Sequence, residues 1–264
     1  MRLLPVLLLA LVQGIAEFLP ISSSGHLALL GRFLGSGATG EGVLIEVILH
    51  LGTLCSVLVF YRTDLSRLLS GLSRGAADSW RLLLLLALAS IPAAAVGLLF
   101  EDGIERAFSS PLLVAVLLGI NGMILLVSGL LRRRTPGGSG PGLRHALAGG
   151  LAQAVAILPG ISRSGSTISA MTASGMAQTD AAGFSFLMSI PAVAGAGLLE
   201  ARGIASLDPA DIPVALAGFA VSFLAGYASL RLLIGMLGRN RLWVFGVYCL
   251  VASVAATAVI LTGG

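Results

Sequence analysis

The stretch Gln13-Gly-Ile-Ala-Glu17-Phe-Leu-Pro20-Ile-Ser22-Ser23-Ser24-Gly25-His26 is embedded in apolar sequence, and it has an echo. The echo is Gln153-Ala-Val-Ala-Ile-Leu-Pro159-Gly-Ile-Ser162-Arg163-Ser164-Gly165-Ser166, its Ser-x-Ser-Gly core 140 residues further on. Both run from Gln through an apolar turn to Pro and then to that core. Hydrophobic residues make up 56% of the 264-residue chain and charged residues 11%, and the mean hydropathy is +1.00. Polar and ionisable groups are costly in a bilayer, so a membrane chain that keeps two such islands has a use for them. One copy carries an acid and a histidine, the other an arginine.

The composition dictates a membrane protein. A soluble domain of this length carries about twice the charged fraction, and several runs here approach the roughly 18–20 apolar residues that span a bilayer. The net charge is +4 and all sixteen basic residues are Arg. They gather in short loops between apolar runs, which argues against nucleic acid as a partner. Cys55 and Cys249 lie inside apolar segments and read as buried thiols, with no disulfide or metal framework. The Leu-rich N-terminus imitates a signal peptide. Cleavage near 13–16 would cut the first polar island, so the segment is expected to be retained.

Six apolar stretches, roughly 43–60, 82–100, 111–131, 183–199, 212–232 and 243–262, are expected to cross. By the positive-inside rule, the Arg-rich loops 61–81 and 132–144 face the cytoplasm and the acidic loops 101–110 and 200–211 face outside. The segments 1–35 and 143–178 do not fit as single spans. Pro20 and Pro159 end the helix before them, and Gly25, Gly160 and Gly165 permit a turn. Each segment is therefore expected to be a re-entrant helical hairpin whose irregular tip is buried in protein. The fold class that follows is an all-α integral membrane protein with six transmembrane helices and two re-entrant hairpins. The first repeat covers 1–131, a linker covers 132–142, and a second repeat covers 143–264. Hairpin plus three spans is an odd number of crossings, so the repeats are inverted. The hairpins then enter from opposite faces and their tips meet.

Arg163, flanked by Ser162 and Ser164, with Gly165 and Thr167 beyond, is the most informative residue. A helix opening here presents free N–H groups and a positive end, and the guanidinium fork matches phosphate oxygens. Glu17 is an intramembrane acid suited to metal ligation, to general base work, or to an ion pair with Arg163. His26 follows the hydroxyl run Ser22, Ser23, Ser24 and Gly25, and suits proton transfer or nucleophile activation. Gln13 shares a helix face with Glu17. Glu46 and His50 share a face of a later span, where they either line the cavity or pair with each other. Asn121 reads as a helix–helix hydrogen bond and His145 as an interfacial residue. His26 and Arg163 are expected to face one another across one cavity.

The two motifs, from Gln13 to His26 and from Pro159 to Thr167, resemble those of the undecaprenyl-pyrophosphate phosphatase family, also called bacitracin-resistance proteins. Glu46-Val-Ile-Leu-His-Leu-Gly52 and Phe184-Ser-Phe-Leu-Met-Ser-Ile-Pro191 extend the resemblance over nearly the whole chain. It implies a hydrolase of the bacterial cytoplasmic (inner) membrane that removes the terminal phosphate of undecaprenyl pyrophosphate. The product, undecaprenyl phosphate, returns to cell-wall synthesis. It also implies an active site facing the outer side and a divalent cation, Mg²⁺ or Ca²⁺, with Glu17 as a ligand. The family's catalytic positions map onto Glu17, Ser23, His26 and Arg163. Ser22, Ser24, Gly25, Ser162, Ser164, Gly165 and Thr167 map onto phosphate binding, and Gln13 and Glu46 support them. Gln13 stands where many members have Glu, Ser24 where many have Thr, and His50 where Gln is common. The nucleophile is open among Ser23 activated by His26, His26 itself, and water. The competing class is a lipid-phosphate flippase built on the same inverted repeat. The partners implied are undecaprenyl pyrophosphate and membrane lipid; the oligomeric state, a homodimer included, is open.

Overall fold

The computed structural model describes residues 2–34, 40–130, 140–199 and 207–262, and within them the chain is all helix. Most of the expected linker 132–142, and the acidic loop near 200–206, lie outside the described residues. Helices α1 (Leu3–Phe18) and α2 (Ser23–Leu34) form a broken pair. Then follow α3 (Gly40–Phe60), α4 (Arg62–Ser73), α5 (Ala77–Leu99), α6 (Glu101–Phe108) and α7 (Pro111–Leu130). A second broken pair, α8 (Leu143–Val155) and α9 (Arg163–Ala173), precedes α10 (Gln178–Leu199), α11 (Ile212–Gly238) and α12 (Leu242–Leu261).

Four helices among the described residues are long and apolar enough to cross a membrane: Ala77–Leu99, Pro111–Gly129, Ile212–Gly238 and Leu242–Leu261. A fifth crossing results if Leu44–Phe60 and Arg62–Ser73, bent by 73° at their break, count as one. This is fewer than the six expected. The expected span at 183–199 falls on α10, and that at 43–60 on α3. Both helices turn polar residues into the bundle, Glu46 and His50 from α3 and Ser185 and Ser189 from α10. A helix that furnishes a polar interior cannot be apolar all round. The four clear spans show apolar outer faces, with Leu84, Met123, Leu224 and Val254 all exposed; in lipid such a face is at home.

Small residues set the helix approaches, as in other membrane bundles. A Cβ on Gly14 of α1 would lie 2.8 Å from the Ser222 carbonyl of α11. One on Gly150 of α8 would lie 2.7 Å from the Ala89 carbonyl of α5. Each broken pair thus packs on a helix from the other half of the chain. Gly122 and Gly246 face each other between α7 and α12, where a Cβ on either would come within 2.9 Å of the other's carbonyl oxygen. Beneath the site, the Phe18 and Phe186 rings meet edge to face at 5.5 Å, among fully buried Ile168, Met171 and Met188.

The two broken pairs meet at their tips. Gly25 lies against Gly160, a Cβ on Gly25 falling 2.9 Å from the Gly160 Cα. Gly165 lies against Pro20, with 3.1 Å to the Pro20 Cβ. In the aligned motifs Gly25 corresponds to Gly165 and Pro20 to Gly160, so these are one contact seen twice. Gly160 has φ +100, a conformation glycine adopts freely, and its α face abuts α7 at Val114 and Leu117. Asn121, fully buried on α7, fastens the pair. Its Nδ2 donates to the Pro20 carbonyl at 3.0 Å, and its Oδ1 accepts from the Ser162 amide at 3.0 Å. This bond joins two hairpin tips rather than two helices, the role expected for it.

Candidate active site

Both second helices, α2 and α9, begin in the same way. Ser22 accepts the Gly25 amide on its Oγ at 3.2 Å, and Ser162 accepts the Gly165 amide at 3.1 Å. This is the N-cap bond, which satisfies one of the amides a helix start leaves open. The serine two residues on is also placed alike: Ser22 and Ser24 hydroxyls lie 3.3 Å apart, and those of Ser162 and Ser164 lie 3.1 Å apart. The amides of Gly25 and Gly165 are therefore used within their own turns and are not free for a ligand. The free amides of these helix starts are those before them, on Ser23, Ser24, Arg163 and Ser164, which take no partner among the described residues. Two helix N-termini with open amides make an anion-favouring corner.

Between the tips lies a cavity of about 360 Å³. Its polar lining is Glu17, Ser22, Ser23, Ser24, Ser162 and Arg163 from the hairpins, and Glu46 and His50 from α3. Ile157, Ala192, Val193 and Gly197 supply an apolar wall. Glu17 is the hub. Its Oε1 accepts from Arg163 Nη2 at 2.7 Å, and its Oε2 accepts from the Ser23 hydroxyl at 2.7 Å and from Gln13 Nε2 at 3.2 Å. His50 Nε2 stands 3.7 Å from the same oxygen. The charge-assisted bonds from Arg163 and Ser23 are the short ones, as ionised acceptors make them. They hold the carboxylate in a site where 92% of its side chain is closed off.

Several expected residues are placed elsewhere. His26 is not among those lining the cavity. Its Nδ1 faces the Ser22 carbonyl at 2.8 Å and its Nε2 faces the Tyr248 hydroxyl at 2.9 Å. Both ring nitrogens are thus engaged, and no bond joins His26 to Ser23 or Arg163 among the described residues. The expected opposition of His26 and Arg163 is replaced by one of Glu17 and Arg163, with His50 as the cavity's histidine. Thr167 is fully buried; its hydroxyl reaches the Arg163 carbonyl at 2.7 Å and the Ser185 hydroxyl at 2.6 Å. It braces the first turn of α9 rather than the cavity, as does Ser164. Gln13 is fully buried behind Glu17. Asn121 and Tyr248 are site-supporting residues outside the motifs, and Ser185, inside the matching stretch 184–191, supports the site through Thr167 and Arg163. The signal for Asn121 was present, since it is the lone amide in a 20-residue apolar helix. Tyr248 carried none, because tyrosines near span ends are ordinary interface anchors.

No three His, Cys, Asp or Glu residues among those described are grouped to enclose a metal ion. A hard divalent cation such as Mg²⁺ does not need such a cage. It takes one or two carboxylates and completes its shell with substrate phosphate and water. Glu46, a second carboxylate on the cavity with no hydrogen bond or ion pair of its own among the described residues, matches that demand better than Glu17, whose two oxygens are committed. The donor set fits a cation of this kind.

A multi-helical membrane protein with an arginine, a serine and a carboxylate converging on a buried anion-favouring cavity is the class this fold and site define. The family model described as "Bacitracin resistance protein BacA" matches residues 6–255, and the chain belongs to that family. Similar proteins run the full length. One from Syntrophotalea carbinolica is 45% identical over 94% of this chain and 95% of its own. One from Rubrobacter xylanophilus is 41% identical over 97% and 98%, and one from Alcanivorax borkumensis is 41% identical over 94% and 96%. All three carry the name undecaprenyl-diphosphatase.

Proposed function

We propose that this chain is an undecaprenyl-diphosphatase, hydrolysing undecaprenyl pyrophosphate to undecaprenyl phosphate and inorganic phosphate. The observation that carries the reading is the 2.7 Å bond from the Ser23 hydroxyl to Glu17, beside an arginine at the start of α9. A hydroxyl donating to a buried carboxylate is a nucleophile with its base in place. A carrier that only moved lipid phosphate would have no use for it. The relatives' shared name points the same way.

In this mechanism Arg163 and the open amides of α2 and α9 hold the oxygens of the terminal phosphate. The Ser23 oxygen attacks the terminal phosphorus as its proton passes to Glu17 Oε2. The bond to the bridging oxygen breaks, and undecaprenyl phosphate leaves with that electron pair. Water then attacks the phosphoserine phosphorus, and the Ser23 Oγ–P bond breaks with its electron pair going to Oγ. Oγ takes back the proton from Glu17 Oε2, and both water hydrogens leave on the released inorganic phosphate. Phosphoryl transfer asks chiefly for position and charge stabilisation, which the arginine and helix ends provide. Glu46, with Glu17 behind it, would hold a Mg²⁺ or Ca²⁺ ion, which when bound neutralises phosphate charge. Gln13 keeps Glu17 oriented as a neutral donor.

The full topology belongs to the same proposal. α3 and α10 complete six crossings, while α1–α2 and α8–α9 are re-entrant hairpins of an inverted repeat, in halves 1–131 and 143–264. The paired contacts Gly25 with Gly160 and Gly165 with Pro20, and the packing of each hairpin on the opposite half, support a two-fold relation. The Arg-rich 61–81 loop on the cytoplasmic side puts the first hairpin's mouth, and the active site, toward the outer side of the cytoplasmic membrane. The test is phosphate release from a prenyl pyrophosphate by purified protein, with added Mg²⁺ or Ca²⁺ and with chelator. Wild type should release phosphate in metal and Arg163→Ala should not. An inert wild type in metal, or a fully active Arg163→Ala, removes the reading.

A further inference from the structure

We infer that Tyr248, on the last helix, is a positioning residue for the reaction, acting through His26 on the turn that aims Ser23. The inference rests on the hydrolase reading above. The chain of contacts is short. The Tyr248 and His26 rings stack at 5.7 Å with 14° between their planes, and the Tyr248 hydroxyl meets His26 Nε2 at 2.9 Å. A carbonyl oxygen can only accept, so the 2.8 Å contact to Ser22 fixes the proton on His26 Nδ1. Nε2 of the neutral ring then carries the lone pair, and the Tyr248 O–H donates to it. The ring is held at both nitrogens.

What the ring holds in turn is Ser22. Its φ is +70, a left-handed conformation that costs a non-glycine residue and persists only when its surroundings enforce it. The Ser22 carbonyl receives two bonds from His26, the Nδ1 bond and the helical amide bond at 3.2 Å. The next residue is Ser23, whose hydroxyl reaches Glu17. A rotation of the Ser22 peptide would swing Ser23 off that carboxylate. The corresponding turn in the second copy has no such device: Ser162 has φ −77, an unstrained value, and Ser166 stands where His26 does. The histidine and its tyrosine belong to the copy that is strained. His26 here is a clamp, and α12 is coupled to the nucleophile 225 positions earlier through it.

The experiment compares wild type, Tyr248→Phe, His26→Ala and the double variant in detergent. Readouts are kcat and KM on a prenyl pyrophosphate, affinity for a non-hydrolysable methylene analogue, and thermal melting. Tyr248→Phe keeps the ring and loses one hydrogen bond, so kcat should fall roughly three- to tenfold with KM and analogue affinity within about twofold. Because both act through one contact, Tyr248→Phe should add nothing further on a His26→Ala background. Unchanged kcat in Tyr248→Phe, or additive losses in the double variant, overturns the inference. Loss of melting temperature, kcat and analogue affinity together also overturns it, since that is a fold role only. A wild type that releases no phosphate removes the hydrolase reading itself, a result separate from all three.

Discussion

Ser23 and Arg163 occupy the same position in two copies of one turn, and both end on Glu17. Each is the first residue of its helix, directly after the capping serine. Ser23 reaches Oε2 and Arg163 reaches Oε1, each at 2.7 Å. On the proposed repeat, duplication would supply a pair of convergent side-chain positions, one carrying a hydroxyl and the other a cation. The carboxylate between them is contributed by the helix that precedes only one of the turns. Neither half holds a complete site.

Replacing Glu17 with Gln removes the base while keeping shape and a hydrogen-bond acceptor. It also leaves the Arg163 guanidinium without its counter-charge in a mostly buried site. Phosphate release should fall by roughly 10²–10⁴-fold, the range for losing a positioned general base. Analogue affinity should hold or rise, because Arg163 is then free for phosphate. Retained turnover would move proton removal to another group.

Arg163→Lys distinguishes charge from geometry. Lysine keeps the cation but loses the planar fork that spans Glu17 and the Ser185 carbonyl. Arg163→Ala should cost roughly 10²–10³-fold in kcat, as removal of a main charge stabiliser does. The lysine variant should recover part of that loss, and its deficit should be larger in kcat than in KM. Equal activity of Lys and Arg would make the site a simple positive patch.

His50 reaches the cavity with Nδ1 on the Glu46 carbonyl at 2.8 Å and its side chain one-third exposed. It makes no bond to Ser23 among the described residues. His50→Gln, which keeps a hydrogen-bonding side chain without an imidazole, should therefore keep kcat within about threefold of wild type in a phosphate-release assay. A base would lose far more, on the order of 10²-fold or beyond.

The two polar islands and the breaks at their prolines and glycines were legible from spacing, while the pairing of Glu17 with Arg163 stood as one of three alternatives for that acid. Polar groups in an apolar chain stand out, and a turn that must be capped announces itself in Ser-x-x-Gly. Three things were not legible. Hydropathy named six crossings, whereas among the described residues four helices are long and apolar enough, or five if α3 and α4, bent by 73° at their break, count as one. His26 looked like the base because it adjoins the hydroxyls in sequence. Its ring nitrogens are instead taken by the Ser22 carbonyl and the Tyr248 hydroxyl, so His26 meets α12 and not Glu17. The amides of Gly25 and Gly165 looked free for phosphate, yet each is taken by the serine three residues before it. Which face a residue takes is decided by contacts such as His26 with Tyr248, 222 positions apart, which no local pattern encodes.

Asn121 offers the sharpest test of how the tips are held. Its side chain satisfies the Pro20 carbonyl from one hairpin and the Ser162 amide from the other, all in a fully buried place. Asn121→Leu keeps the branched shape in a bulkier side chain and removes both bonds, leaving the Ser162 amide unpaired and the Pro20 carbonyl with only the 3.8 Å contact from the Cys249 thiol. Each lost bond costs about 1–3 kcal/mol, so the variant should melt at a lower temperature in detergent, with a total stability loss of roughly 2–6 kcal/mol. Asn121→Ala should lose less, because a small side chain lets a water take the amide's place between the two backbone groups. Activity should follow in the same order, since a small shift of Ser162 moves Arg163, the next residue, off Glu17. Misplacement of about 1 Å costs on the order of 10²-fold in rate. The measurements are thermal unfolding and phosphate release on the same preparations. A leucine variant that melts and turns over like wild type would show that the glycine contacts alone hold the tips together.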